Sequence, residues 1–305
     1  MRKPNLFIIG APKCGTTALR EYLGSHPNVY VCMPEEPHVF CTDLKGRYNR
    51  ITEYEYLQKY FQGVDSGHKV IVDKSTWYLY SKSAVRNILK FNAGAKFIVM
   101  VRNPIDMAYS LHSELLWTGE EEVYDFASAY RLQSLRRKGQ NLPKNCKDSE
   151  ILQYSEVCNL GAQLKRVKAS VPNHNIKIVL FDDFIRDTQK IYIDILNFLN
   201  LQFDGRQDFP IINKNKEIYS KTIDKILSSL LIFQPLSEKV KRVLGLRRLG
   251  IGLAIRWIRY HLNIKSQKRH PMPPEMRKEL VEQFRDDVSL LSDLIGRDLR
   301  YWFLS

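Results

Sequence analysis

Apolar residues along the chain gather in short continuous runs separated by longer amphipathic stretches, the pattern of buried parallel strands alternating with helices. The runs are Leu6 to Ile9, Val29 to Val31, Val70 to Val72, Phe97 to Val101 and Ile178 to Phe181. Helices are expected from Thr16 onward, over Glu53 to Phe61, and from Pro104, which suits a first helical turn. Further helical patterns cover Glu114 to Gly139, interrupted near Glu120-Glu121-Glu122, then Ile151 to Ala169, Gln189 to Leu199, and Pro274 onward until IGRDLRYW. These predict an α/β fold with a central parallel sheet flanked by helices and joined by right-handed crossovers. A ligand crevice belongs at the carboxyl ends of such strands.

Two strand ends carry chemistry. In PNLFIIGAPKCGTTALREYL, Pro4 to Leu23, an apolar strand meets a loop bracketed by Gly10 and Gly15, and Thr16 opens a helix. Backbone amides of such a loop converge on one point and the helix dipole adds to them, so a phosphate is the expected ligand. Lys13 lies inside the loop, two residues before Gly15, whereas the nucleotide triphosphatase signature puts lysine directly after the second glycine. A plain tight turn is the other reading of the same residues. Further on, KFIVMV runs into RNPIDMAYSL. Arg102 at the strand end and Ser110 two helical turns past Pro104 can meet, offering a fork of donors and a hydroxyl to a second phosphate.

Between these motifs lies HPNVYVCMPEEPHVF, a proline-rich loop with adjacent carboxylates Glu35 and Glu36. A glutamate just beyond a phosphate-binding turn can accept a proton from an alcohol, or it can be a solvated loop acid. Lys74, at the carboxyl edge of the third run, either aims into the crevice or snorkels away from it.

GAPKCGTTAL resembles the 5′-phosphosulfate-binding loop of sulfotransferases that use 3′-phosphoadenosine 5′-phosphosulfate. The resemblance implies that Lys13 contacts the 5′-phosphate and bridging oxygen, with Cys14, Gly15, Thr16 and Thr17 around the same phosphate. Arg102 and Ser110 have the spacing of the family's 3′-phosphate pair. EEPHVF is similar to the segment of heparan sulfate 3-O-sulfotransferases and bacterial relatives in which a glutamate deprotonates the acceptor and a histidine assists, which places those roles on Glu36 and His38. Glu35 stands where a lysine is common, and Cys41 where an aspartate often stands. Asp73-Lys74-Ser75 looks like the family's Glu-Lys-Thr, making Lys74 a second cation on the sulfuryl group. NKNKEIYSK sits where relatives carry a basic loop over the adenosine and 3′-phosphate, which brings in Lys214, Lys216 and Lys221; a charged linker is the alternative. The IGRDLRYW segment is similar to the family's Gly-Arg-Asp-Leu-x-x-Trp ending. The resemblance thus implies the P-loop-like sulfotransferase fold, a sugar or hydroxylated small molecule as acceptor, and no metal.

Composition changes this picture little. With 47 Lys+Arg against 33 Asp+Glu in 305 residues, the net charge of +14 favours anionic ligands or surfaces without choosing among them. Nucleic acid is not an expected partner. Five cysteines, Cys14, Cys32, Cys41, Cys146 and Cys158, form no zinc spacing, and their odd number fits a reducing compartment. The opening shows no signal series, so a cytoplasmic protein is expected. One domain over 1–305 is expected, with a helical insertion around 222–270 on the acceptor side or the surface. Its stripe from Leu230 to Leu262, with Arg247, Arg248, Arg256 and Arg259, reads as packing on its own domain or as a basic membrane-facing helix. A kinase with an altered phosphate loop and a non-catalytic basic module remain as alternative functions.

Overall fold

The structure is a computed structural model, and it describes residues 1–146, 148–212, 216–218, 264–266 and 271–304. Five parallel strands, β1 (Leu6–Gly10), β2 (Val29–Val31), β3 (Val70–Lys74), β4 (Lys96–Val101) and β5 (Ile176–Leu180), form one sheet in the order β2-β3-β1-β4-β5. β1 and β3 are buried along their whole length. That burial is why they read as unbroken apolar runs rather than alternating ones. The order places the end of β1 between the ends of β3 and β4, so the loop after β1 opens into a crevice bounded by both neighbours.

The helices are α1 (Thr16–Gly24), α2 (Glu53–Phe61), α3 (Ala84–Phe91), α4 (Pro104–Thr118), α5 (Phe126–Arg131), α6 (Gln133–Arg137), α7 (Tyr154–Val157), α8 (Leu160–Lys168), α9 (Phe181–Arg186), α10 (Thr188–Phe198) and α11 (Pro274–Ile295). A short antiparallel pair, β6 (Lys216–Ile218) and β7 (Ile264–Ser266), adds a second sheet, with the β6 backbone running beside α4. Local chemistry sets the helix ends. Thr52 and Glu55 close a reciprocal capping box on α2. Asn103 accepts the Ile105 N–H at 3.0 Å ahead of Pro104, and α4 stops where Gly119 turns left-handed at φ 77°.

The long helical pattern from Glu114 to Gly139 is divided among α4, α5 and α6 by an ordered break. Glu121 causes it. Its carboxylate accepts the backbone N–H groups of Glu122 and Val123 at 2.8 and 2.9 Å, the Tyr154 hydroxyl at 2.8 Å, and both Arg136 terminal nitrogens at 2.6 and 2.7 Å. Both side chains of the pair are 0% exposed, and backbone amides can serve a buried acid only where they are free of the helix ladder. The pattern from Ile151 to Ala169 likewise splits into a 3-10 turn, α7 and α8. Here Asp287 of α11 accepts the N–H groups of Gly161 and Ala162, each at 2.8 Å. Phe181, expected to end the fifth strand, instead opens α9, and α3 lies in a stretch for which the sequence predicted no element. Of the expected insertion around 222–270, all but residues 264–266 falls outside the described residues, as does the Leu230 to Leu262 stripe. Among the described residues no helix is long and apolar enough to cross a membrane.

Removing one member of the buried Arg136–Glu121 pair strands the other without compensation. Arg136→Ala is expected to lower unfolding stability by about 3–5 kcal/mol, read as a reduced midpoint in urea; an unchanged midpoint would show that the pair does not hold the break after α4.

Candidate active site

The loop after β1 is held in place by two glycines that tolerate no substituent. Gly10 has φ +139°, and a Cβ there would lie 2.6 Å from the Thr76 carbonyl oxygen. Gly15 has φ +86°, and its Cβ would press the Phe181 ring at 3.0 Å. Lys13, between them, is itself left-handed at φ 63°, a conformation costly for a residue with a side chain and found at functional turns. Its carbonyl accepts from Arg102 Nη1 at 3.1 Å, and its ammonium pairs with the Glu114 carboxylate. Cys14 turns inward, its thiol against Met107 and the Pro12 carbonyl, and burial pushes its pKa up to about 12. Its backbone alone is left to serve the loop.

A second cluster forms where β3 ends beside the loop after β2. Lys74, whose side chain is only 3% exposed, donates to Glu36 Oε1 at 2.6 Å, Thr17 Oγ1 at 3.2 Å and Glu35 Oε2 at 3.4 Å. Glu36 also accepts from Thr76 Oγ1 at 3.1 Å, and His38 Nε2 lies 3.2 Å from Glu36 Oε2, close enough for an ion pair but not aligned as a hydrogen bond. Burial alone would raise the Glu36 pKa. The His38 contact and the Lys74 ammonium outweigh it and bring it down to about 2. Both Glu36 and His38 sit at positive φ, 56° and 51°, so this loop is strained where the acid and imidazole converge.

Beneath the cluster, fully buried Asp73 gathers three hydroxyls: Tyr56 at 2.6 Å, Ser75 at 2.8 Å and Tyr78 at 3.3 Å. The Ser75 hydroxyl then accepts the His38 N–H at 3.2 Å, and the Tyr78 hydroxyl accepts the Val39 N–H at 3.0 Å. Asp73 therefore fixes the backbone of the loop that carries Glu36 and His38. Cys41 donates its thiol to the His38 carbonyl at 3.3 Å, a further tie on the same segment.

On the opposite wall, the Arg102 guanidinium stacks 4.6 Å from the Phe181 ring centroid, and Ser110 is buried on α4. The turn carrying Arg102 is braced from far along the chain. Asn103 donates to the Trp302 carbonyl at 2.8 Å, while the Trp302 indole and Tyr301 hydroxyl donate to Asp182 at 2.6 and 2.9 Å. Those contacts are the structural work of the GRDLRYW segment.

The walls enclose a cleft of about 430 Å³ lined by Lys13, Gly15, Thr16, Thr17, Glu36, Thr76, Arg102, Ser110 and Phe181, among others. Lys74 reaches its edge through Thr17 and Glu36, and His38 through Glu36. The predicted residues thus converge on one crevice, except that the thiol of Cys14 faces away. Lys214 and Lys221 lie outside the described residues. Lys216 is placed only by its backbone, on β6 beside α4. Ser113, Glu114 and Trp117 also line the cleft and had no role in the sequence reading. Helical periodicity could have found them, since they follow Ser110 at i+3, i+4 and i+7 and so share its face.

A parallel sheet with a glycine-bracketed loop after its central strand, and with acid, imidazole and lysine gathered at the neighbouring strand end, defines a P-loop-like fold. The chain belongs to the Sulfotransferase family, whose model matches residues 4–205. It is 32% identical over 119 residues to the bifunctional heparan sulfate N-deacetylase/N-sulfotransferase 1 of Caenorhabditis briggsae, covering 37% of this chain and 13% of that protein. It is 31% identical over 117 residues to human heparan sulfate glucosamine 3-O-sulfotransferase 6, covering 38% of this chain and 31% of the relative. The chain therefore spans less than a third of the length of these curated relatives. Over 99% of both chains it matches the crystal structure of a sulfotransferase from Alicyclobacillus acidocaldarius, with TM-score 0.69 and 24% identity, a likeness of fold.

Asp73 leaves a measurable signature. Burial raises its pKa from 3.8 to about 6 against the lowering hydroxyls, so the folded state binds a proton more tightly than the unfolded chain, and its contribution to stability falls as pH rises from 4 to 6. The native protein is expected to lose about 2 kcal/mol across that window relative to Asp73→Asn, measured by denaturant unfolding at each pH. Parallel profiles for the two proteins would refute it.

Proposed function

We propose that this chain transfers a sulfuryl group from 3′-phosphoadenosine 5′-phosphosulfate to the hydroxyl of a sugar or hydroxylated small molecule. The observation that carries this reading is the Glu36 carboxylate, held by Lys74, Thr76 and His38 inside the cleft that also receives Lys13, Arg102 and Ser110. A base, two lysines and two separated anion sites in one crevice suit a donor with a phosphate at each end of its ribose. The loop glycines support the fit by holding the turn against Thr76 and Phe181 at positive φ, which fixes the loop at the cleft.

The bound donor supplies an activated sulfur at its 5′ end. Lys13 and the loop amides neutralise charge on the leaving phosphate, and Lys74 neutralises charge on the transferring oxygens. Arg102 and Ser110 hold the 3′-phosphate, fixing the donor's direction in the cleft. Glu36 takes the acceptor proton, and His38 steadies its carboxylate. His38 and Lys74 together keep Glu36 a weak base. When Lys74 turns toward the sulfuryl oxygens, Glu36 loses a counter-charge and its affinity for the acceptor proton rises.

We also place the reaction in the cytoplasm, where the free cysteines of the described residues would stay reduced, and assign the chain one domain. The packing of α11 against α8 and the Trp302 contact with Asn103 support that unity.

Calorimetric titration with adenosine 3′,5′-bisphosphate, beside ATP with magnesium, tests the donor. The bisphosphate should bind in preference, and Arg102→Ala should weaken it about 10- to 100-fold, as expected for charge-assisted bonds to phosphate. Equal affinity in the variant would remove the 3′ assignment. Glu36→Gln should retain bisphosphate affinity while its turnover with the sulfated donor falls about 10²- to 10⁴-fold; turnover near the native rate would show that another group takes the proton.

A further inference from the structure

Four side chains of α4 line the cleft, Ser110, Ser113, Glu114 and Trp117, and only Ser110 is accounted for by donor binding. Glu114 is the second carboxylate of the cleft after Glu36, and it stands on the wall opposite, beside the residues assigned to the donor's phosphates. Its carboxylate pairs with the Lys13 ammonium, the cation assigned to the leaving phosphate. Neither partner is sequestered, their side chains being 28% and 42% exposed. Lys13 is also restrained at its backbone, because Arg102 holds its carbonyl. The ammonium can therefore swing between the α4 wall and the loop centre without moving the loop.

We propose that Glu114 is the internal occupant of the Lys13 anion seat: it pairs with the lysine in the empty cleft, is displaced by the donor's 5′-phosphosulfate, and thereby sets donor affinity. The inference rests on the donor reading for the identity of the displacing ligand, but the seat itself is a property of the two side chains. Any anion entering it must compete with a tethered carboxylate, so a single small anion gains little from Lys13. A donor gripped also at Arg102 and Ser110 has binding free energy to spare for the exchange. Glu114 thus lowers the affinity of every anion that uses the Lys13 seat, and a nucleotide anchored also at Arg102 and Ser110 keeps enough binding free energy to fill it.

Removing the carboxylate should tighten anion binding. An ion pair of this exposure changes an equilibrium on the order of 2- to 5-fold, and loss of repulsion toward a polyanion works in the same direction. Calorimetry with adenosine 3′,5′-bisphosphate and, separately, inorganic pyrophosphate on the full chain is expected to give Glu114→Gln a Kd lower by about 2- to 5-fold for either probe. In the Lys13→Ala background the gain should fall to the part that relief of repulsion alone supplies, and it should shrink as salt is raised. A merely structural role for Glu114 would not produce a gain that depends on Lys13. Equal or weaker binding by Glu114→Gln, or a gain undiminished without Lys13, overturns the proposal. If the bisphosphate binds no variant while pyrophosphate still shows the Lys13-dependent gain, the seat stands and the adenosine donor reading falls. If neither probe distinguishes Glu114→Gln from the native chain, the seat falls.

Discussion

A lysine ammonium buried at the end of a strand is the constraint around which this molecule is arranged. Lys74 sits almost wholly out of water, and a charge so placed persists only with anions and hydrogen-bond acceptors fixed close by. Glu36, Glu35 and Thr17 meet that requirement, and meeting it draws together the loops after β1 and β2. On the proposed function, the carboxylate that answers Lys74 takes the acceptor proton, and the lysine touches the group being transferred. Electrostatic compensation and the proposed chemistry then use the same atoms.

Adjacent positions on β3 divide this labour. Successive side chains of a strand point to opposite faces, so Asp73 enters the layer with Tyr56 and Tyr78 while Lys74 enters the crevice. One face is a network of neutral donors around a buried acid, and the other is a set of ion pairs open to ligand. The loop from Glu36 to Val39 is tied to both, through its side chains to Lys74 and through its amides to Ser75 and Tyr78. Two left-handed residues in four can be held there because the hub over-determines the backbone.

Much of this was legible in the sequence because it is written locally. Apolar runs marked all five strands to within a few residues, and the loop glycines, Arg102 and Ser110 announced themselves through spacing. What stayed hidden depends on tertiary partners. The break after α4 exists because Glu121 must meet Arg136 and Tyr154, and no helical period reports that a glutamate will be buried. Phe181 reads as a strand residue, yet it opens a helix that lays its ring beneath Arg102 and beside Gly15. Cys14 sits inside the recognised loop but faces the core, since a motif gives residue order and not side-chain direction. The partner of Lys13 was missed for another reason: Glu114 belongs to the helix that carries Ser110, and its approach to the loop appears only once the sheet order has set β4 beside β1.

The brace on Arg102 also bears on how the protein comes into being. The loop, the first strand and Glu36 all lie before residue 40, yet the turn that carries Arg102 is held by a tryptophan carbonyl 199 positions after Asn103. A contact of that separation closes late. A growing chain on the ribosome would present the phosphate loop and the acid early, while the arginine wall stays unbraced until residues 297–302 have emerged. On the proposed function, a grip at both ends of the nucleotide would be complete only once residues 297–302 have emerged, long after the phosphate loop.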